Sequence, residues 1–397
     1  MKILFVHDHP FKFNRNGFYT TGSLTAAIWT RYLEVFENLT VVGRDAGELS
    51  EDDKTLYLSS REKVEFQLLP NVSNFKSLLF GNSIAKKSCK ELVADHDAVI
   101  ARLPSRLGSL FVKEAIKQRK PYAIEIVGCP RDALWNYGNW KGKLLALFAA
   151  FNLKRLASTA PFTLYVSEFF LQNRYPSSSS AVSTHVSNVE IPRIPNEAIL
   201  KQRVQKNKES RLLINFGLIG HYSSKYKGID TAIKSLALVN HSFSNWRLQI
   251  LGAGDPCNYQ SLAKNLGVSE KIDFIGTLPS GEPVFNWLDT IDIYLQPSLT
   301  EGLPRALIEA MSRGCPVLAT SVGGIPELLD TEHLFSPGDY KELSKLIENI
   351  ICSPNKLNTM SINNHSKAKL YYKPVLDKRR QEFWSEFRKH IEVCKIM

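Results

Sequence analysis

The sequence has no long hydrophobic run and few cysteines. Its longest apolar run covers residues 144–151, far short of the roughly 20 residues that cross a bilayer as a helix. The six cysteines form no CxxC pair and have no histidine at metal-ligand spacing, so we expect neither a zinc site nor a disulfide framework. Met1 leads directly into an apolar strand without a signal-peptide pattern, so we expect a cytoplasmic protein.

Acidic residues are the minority among the charged ones, with 39 Asp and Glu against 50 Lys and Arg. The net charge of +11 favours an anionic partner: a nucleic acid, a phosphorylated substrate or an acidic membrane surface. The basic residues are dispersed, with only modest clusters such as those at 117–120 and 378–380, and no nucleic-acid module is recognisable. We therefore expect no nucleic-acid partner and favour peripheral contact with an anionic membrane, although an ordinary basic surface explains the charge equally well.

Short apolar runs alternate with helical patterns in both halves of the chain, which predicts two open, mostly parallel, doubly wound α/β domains. We predict domains over residues 1–192 and 193–374, joined by a proline-bearing, charged linker at 191–211. A C-terminal helix over about 375–397 crosses back to the first domain. The predicted strands are 3–6, 39–42, 64–69, 98–101, 122–127, 162–166, 212–216, 246–251, 272–275, 291–295 and 317–319.

The most informative segment is Pro297–Leu329, PSLTEGLPRALIEAMSRGCPVLATSVGGIPELL. Its spacing predicts a helix over 304–313, with Pro304 at the first position and Gly314 after the last. Two apolar strands flank this helix, so it is predicted to be a crossover in a parallel sheet, where ligands lie beyond the carboxyl ends of the strands.

Free amides at this helix start, from Gly302, Leu303 and Arg305, are suited to a diphosphate. The Glu309 side chain leans back toward the helix start, where its two oxygens could accept hydrogen bonds from a ribose. Glu301, in the preceding loop, would be repelled by phosphates and is better explained by sugar hydroxyls. An amphipathic helix with two solvated glutamates is the plain alternative, and the flanking strands argue against it.

Loops in both halves offer further candidates for ligand binding. Lys225 and Lys227 follow a predicted strand, so Lys227 could reach a diphosphate at the edge where Glu301 lies. Gly22 precedes a helix expected to start near Ser23, where a phosphate or an acceptor could bind. The segment 125–138 places Asp132 among Arg131, Trp135 and Tyr137 on a predicted loop, which indicates a polar ligand site or aromatic core packing.

These residues resemble the retaining glycosyltransferases of family 4, the group 1 class with the GT-B fold, in which two Rossmann-like domains face a cleft. Two glutamates separated by seven residues mark the family's donor site, and Glu301 and Glu309 match them, with Gly302 and Leu303 in the diphosphate-binding turn. Lys227 looks like the family's phosphate-binding lysine. Leu278 falls where the family commonly contacts the base. The resemblance implies no metal and no cofactor beyond the nucleotide sugar.

The sequence departs from the family at three places. The family often has an arginine after the glycine that corresponds to Gly217, where this chain has Leu218, so Lys225 is expected to supply the second cation. Only Gly22 and Ser23 stand where the family has a pair of glycines. The family's N-terminal histidine has no clear match, and Asp132 is our substitute for it.

The resemblance implies transfer of a hexosyl group from a UDP- or GDP-sugar to a hydroxyl of a glycan or lipid-linked glycan, with retention of anomeric configuration. Assembly of a bacterial surface polysaccharide, such as capsule, exopolysaccharide or O-antigen, fits best. Two alternatives stay open at this point. One is a nucleotide-sugar epimerase on the same fold, and the other is a nucleotide-sugar-binding protein without catalysis.

Overall fold

A computed structural model of the protein describes residues 1–22, 24–50, 56–70, 83–135, 140–192, 197–208 and 213–396. The chain divides into two compact units. The change from the first to the second unit at Val186/Ser187 lies before the boundary expected at 192/193. The first unit comprises Met1–Arg131, Asn139–Val186 and Asp377–Met397, and the second comprises Asp132–Gly138 and Ser187–Leu376.

The first unit is built on a mostly parallel sheet whose main order is β4-β2-β1-β6-β7-β8-β9, with β3 paired to β1 and β5 paired to β3. Among the described strands of this unit, only the pairs β1–β2 and β2–β4 are antiparallel. Its buried strands are apolar runs, as expected for a sheet covered on both faces. The strands are β1 (Lys2–Asn14), β2 (Gly17–Thr20), β3 (Asn38–Glu48), β4 (Tyr57–Leu58), β5 (Val64–Leu69), β6 (Ala98–Leu103), β7 (Tyr122–Ile126), β8 (Phe162–Tyr165) and β9 (Val182–His185).

The second unit has a sheet of six parallel strands in the order β12-β11-β10-β13-β14-β15. Because β10 and β13 are neighbours, the loops that follow them leave the sheet side by side. The doubly wound α/β prediction is confirmed for both halves. The strands are β10 (Ile214–Ile219), β11 (Trp246–Leu251), β12 (Ile272–Gly276), β13 (Ile293–Gln296), β14 (Val317–Thr320) and β15 (Leu334–Phe335).

Helices connect the strands in both units, and among the described residues none is long and apolar enough to cross a membrane. The α-helices are Thr30–Leu33, Ser83–Asp95, Arg106–Lys117, Pro130–Trp135, Trp140–Thr159, Phe170–Arg174, Glu197–Lys208, Ile229–Val239, Cys257–Asn265, Glu282–Thr290, Arg305–Ser312, Tyr340–Ile351, Pro354–Ala368 and Lys373–Ile396.

The prediction of a linker at 191–211 is wrong, because this segment contains the helix Glu197–Lys208 of the second unit. Arg203 on this helix is only 4% exposed, and its guanidinium donates hydrogen bonds to the carbonyl oxygens of Leu288, Ile291 and Arg313. Arg203, one of the charged residues that suggest a linker, therefore holds the helix against the end of another helix and the start of a strand.

The C-terminal helix Lys373–Ile396 belongs for most of its length to the first unit, where residues from Asp377 onward pack. Phe383, Trp384 and Phe387 are buried. The Trp384 ring lies 5.6 Å from the ring of Tyr32, and the Phe387 ring lies 5.0 Å from that of Phe162. The predicted return of the chain end to the first domain is thus made through an aromatic core contact.

Candidate active site

The segment after β13 forms the loop and helix that its spacing predicts. The helix spans Arg305–Ser312, and Pro304 stands at its N-cap rather than at its first helical position. Gly314 follows the helix with φ of +64°, a left-handed conformation that glycine adopts without strain. The carboxyl edge of the parallel sheet therefore carries a helix start directly after Glu301.

The Glu301 carboxylate is held by three hydrogen bonds to a single oxygen. Its Oε1 accepts from the ammonium of Lys227 at 2.7 Å, from the hydroxyl of Ser298 at 2.8 Å and from the amide of Gln296 at 3.0 Å. The Glu301 side chain is 11% exposed and the Lys227 side chain 21%. The structure thus brings Glu301 and Lys227 together as a partly buried ion pair.

Lys227 is positioned by close backbone contact between two loops. It ends a 3-10 turn over Lys225–Lys227, followed by Gly228 with φ of +67°. A Cβ atom at Gly228 would lie 1.9 Å from the carbonyl oxygen of Pro297, so only glycine fits there. The amide of Leu299 donates to the carbonyl of Tyr226 at 2.7 Å. The turn is thereby fixed against the residues that precede Glu301.

Lys227 keeps donors for a ligand, whereas Lys225 is less constrained. An ammonium group has three hydrogens, and the bond to Glu301 uses one of them. The Lys227 nitrogen also lies 5.3 Å from the ring centroid of Tyr226, a favourable cation–π contact. Lys225 lies exposed at the start of the same turn. Contacts with Glu301 and Tyr226 therefore fix the position of the Lys227 ammonium, whereas no hydrogen bond or ion pair among the described residues fixes the Lys225 side chain.

The turn before the helix leaves its amides available. Among the described residues, the amides of Gly302, Leu303 and Arg305 donate to no protein acceptor. The Gly302 carbonyl accepts from Gly324 at 2.7 Å, and a Cβ atom on Gly323 would lie 2.1 Å from the Glu301 carbonyl oxygen. The loop after β14 thus fixes this turn from behind, while its N–H groups can receive an anion.

Glu309 is a half-buried carboxylate on the second turn of the helix. Among the described residues, no group donates a hydrogen bond to its side chain. Burial raises the pKa of Glu309 above its usual value; nearby Arg305 opposes this shift and Glu190 adds to it. A carboxylate that is desolvated and lacks a donor is suited to accept hydrogen bonds from ligand hydroxyls.

Of the other predicted site residues, Leu278 belongs to the second unit and Gly22 to the first. Leu278 is half-buried in the loop after β12, on the same carboxyl edge. Gly22 follows β2 with φ of +112°; Ser23 lies outside the described residues, and the first helical turn starts only at Ala26.

Asp132 lies in the first turn of the short helix Pro130–Trp135, not on a loop as predicted, because Pro130 starts a helix at the end of β7. It groups with the second unit, and Trp135 ends the same helix. Tyr137 falls outside the described residues.

Sequence reasoning missed Gln296 and Ser298, the neutral partners of Glu301. Gln296 is the last residue of β13 and also accepts a hydrogen bond from the hydroxyl of buried Tyr294 at 3.1 Å. The signal for both was available, since polar residues that end an apolar strand face the ligand edge of a parallel sheet.

Two histidines of the first unit were also missed. His7 Nδ1 lies 3.1 Å from the carbonyl oxygen of Arg102, at the end of β6, and His9 Nε2 lies 2.5 Å from the hydroxyl of Thr20. Burial, reinforced by the positive charge of Arg102, lowers the pKa of His7 to about 3 and that of His9 to about 4. Both imidazoles are therefore neutral at physiological pH.

Comparison with known proteins identifies the chain's relatives. The family model described as "Glycosyl transferases group 1" matches residues 197–367. Protein CapJ from Staphylococcus aureus is 32% identical over 397 residues, covering 95% of this chain and 97% of CapJ. The amylovoran biosynthesis glycosyltransferase AmsK from Erwinia amylovora is 27% identical over 175 residues, covering 42% of this chain and 39% of AmsK.

A solved structure of similar fold is Anabaena HepE in complex with UDP-glucose. It has a TM-score of 0.64 and 17% identity, covering 97% of this chain and 100% of HepE. Two Rossmann-like units with parallel sheets are the architecture of the GT-B fold. With a relative this similar over nearly its whole length and a matching family model on the second unit, the chain belongs to the group 1 glycosyltransferases, and it is a glycosyltransferase.

Proposed function

We propose that the enzyme transfers a hexosyl group, with retention of configuration, from a UDP- or GDP-sugar to a hydroxyl of a glycan or lipid-linked glycan. The observation that carries this proposal is the Lys227–Glu301 pair beside a helix start with free amides, one turn before the unpaired carboxylate of Glu309. A nucleotide diphosphate sugar offers in sequence the groups that these residues match: a ribose, a diphosphate and a sugar ring. HepE, which shares the fold, binds UDP-glucose.

On this proposal each residue meets one part of the donor. The Glu309 carboxylate accepts from the ribose hydroxyls, and Leu278 contacts the base. The amides of Gly302 and Leu303 and the Lys227 ammonium bind the diphosphate oxygens. Lys225 adds a more mobile charge at the same edge.

The transfer forms a bond between the acceptor oxygen and the anomeric carbon while the bond from that carbon to the diphosphate oxygen breaks. The proton of the acceptor hydroxyl ends on the departing diphosphate. Negative charge grows on the leaving group, where Lys227 and the helix amides stabilise it, and electrostatic stabilisation of this kind is usually the largest contribution to catalysis. Glu301 holds the sugar hydroxyls beside the reacting carbon.

We propose that the donor charge is carried by these protein groups and that no metal is required. Among the described residues, no group of three or more metal-ligating side chains is found. Turnover that persists in a chelator such as EDTA would agree with this proposal, and loss of turnover that magnesium or manganese restores would contradict it.

On the acceptor side, we propose Gly22 as a contact and Asp132 as the residue that takes the place of a catalytic histidine. The acceptor belongs to a bacterial surface polysaccharide under assembly. Support comes from AmsK, which is named for amylovoran biosynthesis. The net charge of +11 supports a place at an anionic membrane surface on its cytoplasmic side.

The decisive experiment is calorimetric titration of the protein and its Glu309→Ala variant with a panel of UDP- and GDP-sugars. At least one sugar nucleotide should bind the unmodified protein, and Glu309→Ala should weaken it about tenfold or more, the cost of hydrogen bonds to a charged acceptor. Unchanged affinity would remove the ribose assignment. Product analysis without acceptor distinguishes a transferase from an epimerase, because only the epimerase converts the donor alone.

A further inference from the structure

The helix Trp140–Thr159 carries two apolar sides, and only one of them packs against the first unit. Ala146, Leu153, Leu156 and Ala157 are buried. On the opposite side, four large apolar side chains are exposed at helical spacing, which we call the exposed stripe. They are Leu144 at 66%, Leu147 at 52%, Phe148 at 69% and Phe151 at 69% exposed.

The spacing shows that the stripe is a continuous surface. At 100° per residue, side chains at positions 144, 147, 148 and 151 fall within about a third of the helix circumference. Core packing accounts for the buried side, and within the described part of the first unit the four side chains of the stripe stay more than half exposed. Contiguous exposed apolar surface of this kind marks an interaction site.

The charged residues around the stripe indicate an anionic partner. The helix sequence contains no Asp or Glu. Lys143 and Lys154 are exposed along one flank of the stripe. Arg155, also exposed, lies one turn after Phe151 and continues the line of the stripe toward the helix end. Long basic side chains beside an apolar stripe can rest their methylene groups on it while their charged ends reach anionic head groups.

A basic cavity of about 710 Å³ continues this surface. It lies at the amino ends of β7 and β8, beside Tyr122 and Pro161, which is the sheet edge opposite to the carboxyl ends of the strands. Arg155 is shared with the stripe helix. Four cations and no acidic residue are among its lining, the cations being Lys113, Arg119, Lys120 and Arg155.

We propose that the exposed stripe docks on a bilayer that contains anionic phospholipids, with the basic cavity receiving lipid phosphates. This inference deepens the membrane contact proposed above and rests on it. A second copy of the chain is disfavoured as the partner, because face-to-face pairing would bring the same basic residues against one another. Each basic side chain near an anionic surface adds attraction, and each inserted aromatic adds apolar burial.

The test compares sedimentation with two kinds of vesicle: phosphatidylcholine alone, and equal parts of phosphatidylcholine and phosphatidylglycerol. The full protein should bind the anionic vesicles and not the neutral ones. The variant Phe148→Ser/Phe151→Ser should bind the anionic vesicles about tenfold or more weakly. Its melting temperature should equal that of the unmodified protein, since both side chains are exposed.

A matched control and a charge variant sharpen the result. Ile362→Ser/Leu370→Ser removes two exposed apolar side chains of the second unit, 48% and 54% exposed, and should leave vesicle binding unchanged. Arg119→Gln/Arg155→Gln should weaken binding to anionic vesicles and lower its dependence on salt.

Three outcomes would overturn the inference, and they have different meanings. If the unmodified protein fails to bind anionic vesicles, the proposed membrane contact itself is wrong. If the Phe148/Phe151 variant binds as well as the unmodified protein, membrane contact uses another surface. If ultracentrifugation finds a dimer that this variant loses, the stripe belongs to self-association. Binding of the sugar nucleotide is measured separately and tests only the proposed reaction.

Discussion

Replacing Glu301 with glutamine should strengthen binding of UDP while it slows transfer. Glutamine keeps the size of the side chain and an acceptor oxygen for Ser298 and Gln296, but removes the negative charge that Lys227 contacts at 2.7 Å. In the free enzyme the Glu301 carboxylate occupies the Lys227 ammonium, so a diphosphate has to compete with it on binding. The Glu301 charge also repels the phosphates directly. This repulsion is strong because the Glu301 and Lys227 side chains are largely shielded from water, at 11% and 21% exposed.

The size of the effect follows from that ion pair. Hydrogen bonds to charged groups contribute about 1.5–3 kcal/mol, and a diphosphate must displace part of this interaction. If the glutamine variant no longer loses about 1 kcal/mol of this interaction when UDP binds, its affinity for UDP rises several-fold, since 1.4 kcal/mol corresponds to a factor of ten. Turnover should nevertheless fall about a hundredfold, the scale of loss when a substrate is misplaced by about 1 Å, because Glu301 is proposed to hold the sugar hydroxyls beside the reacting carbon.

Calorimetric titration with UDP and initial rates with the best donor test both halves of this prediction. Glu270→Gln is the control, because Glu270 is exposed and lies before β12, at the opposite edge of the sheet. The reasoning is refuted if UDP binds Glu301→Gln more weakly than the unmodified protein, or if the variant keeps full activity. The first result would mean that Glu301 orders the ammonium for the ligand instead of competing for it.

Three further predictions concern stability. Gly228→Ala should lower the free energy of unfolding by about 2 kcal/mol or more, because a left-handed alanine is strained and its Cβ would collide with the Pro297 carbonyl. Below pH 6.5 the protein should lose stability, by up to about 1.4 kcal/mol per pH unit for each histidine, as the unfolded state protonates His7 and His9 while their depressed pKa values keep them neutral in the fold. Arg203→Met should cost about 3 kcal/mol, since three buried carbonyls lose their charged donor. Urea unfolding measures all three.

Each stability prediction has a control. Gly267→Ala, at φ of +71° with no atom within 4 Å of the added Cβ, should show only the backbone strain, so an equal loss in both glycine variants would contradict the collision argument. His241→Gln, at an exposed position, should leave the pH dependence intact, whereas His7→Asn should reduce its slope between pH 6.5 and about 4. Arg247→Met, on a half-exposed arginine, should cost less than about 1 kcal/mol.

Much of the fold could be predicted from local pattern, because parallel strands buried on both faces appear as apolar runs. β5 and β11 were predicted with the bounds that the structure shows. The hairpin strands β2 and β4 were not, because Tyr57 and Leu58 are each 47% exposed and their pairing depends on distant residues. The helix at 197–208 was misread, because two of its charged residues bind buried groups of the fold: Arg203 binds three carbonyl oxygens, and Lys206 pairs with buried Asp292 at 2.6 Å.

In the candidate site, too, one part could be predicted from the sequence and another could not. The proximity of Lys227 and Glu301 followed from topology, since residues after neighbouring parallel strands meet at one edge. That the two pair with each other could not be predicted, because it depends on the close approach of Gly228 to Pro297, where an added Cβ atom would lie 1.9 Å from the carbonyl oxygen. The lowered pKa values of His7 and His9 could not be predicted either, because they depend on burial beside Arg102, which no local pattern reveals.

The glycine contacts have a consequence for how this enzyme could acquire a new donor. Gly228 lies against Pro297, Gly323 against Glu301, and Gly252 against the carbonyl of Gly220, each nearer than any side chain would allow. Loops joined in this way cannot be exchanged one at a time, since a graft from a relative would have to carry its neighbours with it. A change of sugar or base is therefore easier to reach through single side chains at the margin, such as Leu278, our proposed contact to the base, than by transplanting a loop.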